Sequence, residues 1–79
     1  MTIHVINDLN TFIEHASLCR IVIYRRYGEN EVRARAGKIG IILNNKLDID
    51  KFNKWLIEAS RKQIIIAVEY VMDEDLFFK

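Results

Sequence analysis

The sequence predicts an α+β fold, a two-layer sandwich in which two helices cover one face of a four-stranded antiparallel sheet. Three observations carry that expectation. Residues 32–36 read Val-Arg-Ala-Arg-Ala, a period of two that belongs to a strand. Leu9, Phe12, Ile13 and Ala16, and later Ile49, Phe52, Trp55, Leu56 and Ala59, recur at the spacing of helices with one apolar face. The other apolar runs are short and rich in β-branched residues, as strands are.

Taken in order, residues 2–6 form a short β run, and Asn7 and Asp8 are good N-caps for the first helix. Residues 18–27 read as a strand closed by Gly28, Glu29 and Asn30, a hairpin turn from which Val32 onward returns as the partner strand. The alternation slips between Gly37 and Gly40, which predicts a bulge or break before residues 41–43, a bend able to end one strand and begin another. Asp48 is the expected N-cap of the second helix, with Leu47 and Phe52 in hydrophobic-staple spacing and Arg61 and Lys62 favourably placed at the C-terminal end. Residues 63–72 form the most apolar strand, and the run 64–68 asks for cover on both faces. The resulting order, β-α-β-β-α-β, is the arrangement of ferredoxin-like split βαβ folds. A ragged first strand would reduce it to α-β-β-α-β.

Length and composition bound the rest. Seventy-nine residues make a single domain, 1–79, which buries only roughly 60–65% of its unfolded surface and therefore needs a dense core. With 51% hydrophobic residues, it has the material for one. There is no proline, repeat or low-complexity stretch to mark a linker. The net charge of +1 gives no general attraction for polyanions, but Arg20, Arg25, Arg26, Arg33, Arg35 and Lys38 crowd residues 20–38, and Glu69, Asp73, Glu74 and Asp75 the C-terminal end. One cysteine, Cys19, excludes an internal disulfide and a multi-thiolate zinc site. With Thr2, Ile3 and His4 in place of a basic leader, and no apolar run near the ~20 residues of a membrane helix, the expectation is a cytoplasmic protein without membrane contact.

Chemistry is sparse. His4 and His15 have no acid or nucleophile at triad spacing, Cys19 reads as a small core residue, and Gly37-Lys38-Ile39-Gly40 lacks the spacing of a phosphate loop. Glu14 with His15, and Asp48 with Asp50, are too divergent on a helix to hold a metal. No catalytic residue, metal or cofactor is expected. Parity instead points to the sheet face away from the helices. His4, Ile6, Arg20, Val22, Tyr24, Arg26, Arg33, Arg35, Ile65, Ala67, Glu69 and Val71 are expected there, half apolar and half charged.

Such a face has the composition of a protein interface, with Arg20, Tyr24, Arg26, Arg33, Arg35 and Lys38 as partner-binding residues. The partner is another protein, either a second copy or a larger target, and the scale is that of a small phage or mobile-element inhibitor or adaptor of the anti-defence type. The alternatives are a solvated surface with cross-strand ion pairs of Arg33 or Arg35 with Glu31 or Glu69, and a nucleic-acid binder whose arginine-rich hairpin contacts phosphates. An RNA-recognition motif, however, needs rings beside Arg33 and Arg35, where this sequence has Ala34 and Ala36. The tail, Asp73-Glu74-Asp75-Leu76-Phe77-Phe78, resembles in composition the acidic-hydrophobic tips by which some replication proteins recruit partners, though Lys79 departs from them. Two phenylalanines are costly in water, so the tail is expected to fold back onto the domain or a subunit contact.

Overall fold

A computed structural model describes residues 2–25 and 30–78. Within them the order is β1 (His4–Ile6), α1 (Leu9–Ala16), β2 (Arg20–Arg25), β3 (Val32–Ala36), β4 (Ile39–Leu43), α2 (Lys46–Arg61), β5 (Ala67–Val71) and α3 (Glu74–Phe77). The class is α+β, but the sheet has five strands, in the order β1-β4-β3-β2-β5. It is mixed, because β1 runs parallel to β4 and β2 parallel to β5, and only β3 is antiparallel to its neighbours. The expected four-stranded antiparallel sheet is corrected by one turn. Gly37 and Lys38 are the two central residues of a tight hairpin, with Ala36 opposite Ile39. Gly37 takes φ +62°, as the first position of a II′ turn requires, so the slip in alternation is a reversal rather than a bulge. The two strands flanking each helical crossover, β1 with β2 and β4 with β5, run in the same direction.

Both long helices lie on one face, as expected. Leu9, Phe12 and Ala16 of α1 and Phe52, Leu56 and Ala59 of α2 share one core with Ile21, Ile23, Val32, Ala34, Ala36, Ile41 and Leu43 of the sheet. The rings of Phe12 and Phe52 meet at 6.1 Å, and Phe52 stacks on Trp55 at 5.9 Å. Asp8 caps α1, accepting from the Asn10 N–H. The Thr11 hydroxyl, 2.6 Å from its carboxylate, holds that carboxyl below its ordinary value, so the cap's contribution is present above the normal carboxyl range and lost as pH falls through the lowered one.

The second helix starts earlier than expected. Asn45, not Asp48, is its N-cap and accepts from the Asp48 N–H at 2.9 Å, while the Asn45 amide donates to the Asp48 carboxylate. Leu47 therefore sits in the first turn, exposed, and forms no staple. At the other end Gln63 N–H bonds Ser60 C=O and Ile64 N–H bonds Ala59 C=O, a Schellman closure with Gln63 at φ +57° where glycine is usual.

The expected strand 63–72, covered on both faces, is instead an edge strand of five residues. Ile64 and Ile65 pack against the helix-side core immediately after the Schellman turn, and Ile66 points to solvent. The apolar run is thus divided between plugging the core and forming a surface. Residues 18–27 likewise yield a strand only from Arg20. Leu18, at φ +63°, occupies the third position of a type II turn closed by Cys19 N–H to Ala16 C=O, and its own N–H donates to Ile64 C=O. The expected turn at Gly28 and Glu29 lies outside the described residues. Among the described residues no helix is long and apolar enough to cross a membrane.

Gln63→Gly should raise the unfolding free energy by about 0.5–1 kcal/mol, because relief of the left-handed backbone exceeds the added unfolded-state entropy. Gly37→Ala should lower it by about 1–2 kcal/mol, both being read from urea denaturation midpoints.

Candidate interaction site

Residues paired across neighbouring strands share a face. Tyr24 opposite Arg33, Val22 opposite both Arg35 and Glu69, and Arg20 opposite Ala67 therefore gather Arg20, Tyr24, Arg33 and Arg35 on the side away from α1 and α2. Of the other predicted residues, Lys38 lies exposed in the β3–β4 turn at the end of the sheet, its carbonyl accepting from the His4 N–H at 2.7 Å, and Arg26 lies outside the described residues. Three members of the expected face belong elsewhere. His4 and Ile6 pair with Ile39 and Ile41 and so face the helices, because β1 enters the sheet beside β4 in parallel, while Ile65 is buried in the helix-side core. Val5, opposite Gly40, takes the place assigned to His4 and Ile6.

This face is not open. The C-terminal turn α3 crosses it and buries Phe77 against Val22, Tyr24 and Val71, a second cluster that shares no residue with the main core. The Phe77 ring lies 5.7 Å from Tyr24 and 5.0 Å from Phe78, which remains partly exposed. The tail thus folds back, through one phenylalanine. The Arg35 guanidinium donates to the Phe77 carbonyl, at the end of the short helix where a cation is favoured. Arg33 bonds Glu31 at 2.9 Å, reaches Glu74 at 3.4 Å and stands 6.0 Å over the Tyr24 ring. The central arginines are therefore the clasp of α3. Arg20 pairs with Glu69, both well exposed, an interaction of about 0–1 kcal/mol.

Openings remain on either side of α3. One is a shallow cavity of about 540 Å³ whose lining includes Cys19, Arg20, Arg35 and Glu69 with Leu18, Ile66 and Leu76. Leu18 is 69% exposed and Ile66 72%. The other is a narrow apolar crevice of about 30 Å³ between Phe77 and Phe78 and the side chains of Ile3, Val5 and Ile42. An added Cβ at Gly40 would come within 2.8 Å of the Ile3 side chain, so glycine lets this edge close. Leu18, Ile66, Leu76 and Phe77 were not legible as site residues. The acidic-aromatic pattern of the tail was the one available signal, and it marked Phe77 as a residue in need of cover.

Among the described residues no three of His, Cys, Asp and Glu converge as metal ligands, and no buried polar side-chain atom lacks a hydrogen-bond partner. Exposed Leu18, Ile66 and Leu76 lie beside the paired charges of Arg20 and Glu69. Comparison of the chain with protein-family models, curated proteins and solved structures finds no match.

Phe77→Ala should cost about 3 kcal/mol of stability by emptying the second cluster. Glu74→Ala should cost under about 1 kcal/mol, its pair with Arg33 being largely solvated, with both values read from thermal unfolding.

Proposed function

We propose that this chain is a non-catalytic interaction module that binds a larger protein through the sheet face opposite α1 and α2. The observation that carries the reading is that the exposed Leu18, Ile66 and Leu76 line one shallow cavity together with the Arg20–Glu69 pair. Leucine at a left-handed turn position, largely in solvent, is unfavourable on both counts, and such outliers concentrate where a surface is used. Apolar side chains beside a paired charge match the make-up of protein interfaces and suit a partner with apolar contacts and mixed charge. In size the chain fits an inhibitor or adaptor of the kind that phages and mobile elements carry, acting in the cytoplasm. Phosphate binding is the weaker reading, since Arg33 and Arg35 already serve Glu31, Glu74 and the Phe77 carbonyl, and the net charge is +1.

Capture from a lysate of the cells that make the protein tests this reading. A protein retained by the wild type should be lost with Leu18→Ser plus Ile66→Ser and kept with Leu47→Ser, an exposed leucine on α2. Oligonucleotides should show no binding at about 50 mM salt. Equal capture by all three chains, or oligonucleotide affinity that falls steeply with salt and vanishes in Arg33→Ala plus Arg35→Ala, would overturn it.

A further inference from the structure

We infer that the seat of α3 is a binding site for an acidic-aromatic segment of the partner protein, and that Glu74 and Phe77 of this chain are its occupant in the absence of that partner. The inference rests on the protein-binding reading above and supplies the partner's chemistry. Three observations support it.

First, α3 has four residues, far below the length at which a helix persists alone, so its conformation comes from the surface it lies on. Second, three contacts that seat it are reproducible by a separate peptide: one aromatic ring among Val22, Tyr24 and Val71, one carboxylate at Arg33, and one main-chain carbonyl at Arg35. The spacing Glu-x-x-Phe puts ring and carboxylate on the same side of one helical turn. One charge pair joins the two, Glu74 with Arg33 at 3.4 Å, and the acidic segment Asp73-Glu74-Asp75 lies beside a seat that offers two guanidiniums. Third, the seat lies apart from the main core. Its cluster shares no member with the core that joins α1 and α2 to the sheet, and only Met72 and Asp73 connect α3 to β5. Departure of the segment would therefore leave every member of the main core in place, and both neighbouring openings already have α3 residues in their lining, Leu76 in one and Phe77 and Phe78 in the other.

The test uses full-length chains and a fluorescein-labelled, C-terminally amidated peptide, Asp-Glu-Asp-Leu-Phe-Phe, followed by fluorescence anisotropy. Removing the resident ring in Phe77→Ala should strengthen peptide binding about tenfold or more over the wild type, whose site is occupied most of the time. Adding Arg33→Ala and Arg35→Ala, or replacing the peptide's glutamate and its first phenylalanine with alanine, should abolish it. A folded Phe77→Ala chain that binds no peptide up to about 1 mM, or binds it equally without both arginines, overturns the inference.

Should Phe77→Ala fail to fold, the wild type titrated with millimolar peptide should show amide shifts at Val22, Tyr24 and Val71 by NMR, and their absence overturns it as well. A concentration-dependent wild-type dimer that the peptide dissociates would replace the foreign partner with a second copy, and so overturn it too. Loss of peptide binding with lysate capture intact refutes this inference alone, whereas capture that ignores Leu18 and Ile66 refutes the reading beneath it.

Discussion

The constraint on which the structure depends is the two-sidedness of β3. As the middle strand it is hydrogen-bonded on both flanks, and it alone runs against the others. On one side it presents Val32, Ala34 and Ala36, all buried. Two alanines at the centre of the sheet keep that surface low, and the bulk that completes the layer comes from the helices as Phe12 and Phe52. On the other side it presents Arg33 and Arg35, half-buried, with their guanidiniums on Glu31, Glu74 and the Phe77 carbonyl. A one-residue slip of this strand would put both charges into the core, so register and fold are specified together.

The arginines then set the fate of the tail. A sheet face with Val22, Tyr24 and Val71 at its centre leaves apolar area in water, and a domain of this size has little stability to spare for that. Phe77 covers it at the cost of ordering a short segment, and the cations on β3 make the covering specific for an acidic one. Hydrophobic burial provides most of the attraction, whereas Arg33 and Arg35 determine where and in which direction the segment lies. The basic and acidic stretches of the chain meet in this contact through Arg33 and Glu74.

Several elements were legible because local rules decide them. The helix stripes of Phe12 and Phe52, the Asp8 cap and the outward arginines follow from period and propensity within a few residues. Other features depend on what lies opposite. Whether Gly37 and Lys38 bulge or turn back is settled only when Ile39 finds Ala36 across the hairpin. Residues 64–68 have no internal signal that Ile65 enters the core while Ile66 faces water, because the split is imposed by the Schellman closure at Gln63 that precedes them. The positions of His4 and Ile6 were reversed because parity along β1 says which residues go together, but not which face they take. That was decided by β1 docking in parallel on β4.

The sequence alone therefore determined the class, the identity of both long helices and the segregation of apolar and cationic rows on the central strand, since each arises from side-chain periodicity over a few neighbours. Only the tertiary structure decided the number and direction of strands, the edge position of β5 and the closure of the far face by Phe77. Those depend on pairings between residues distant in the chain, such as Arg35 with the Phe77 carbonyl, 42 positions apart. Their free energy comes from burying a shared surface, which no single segment carries by itself.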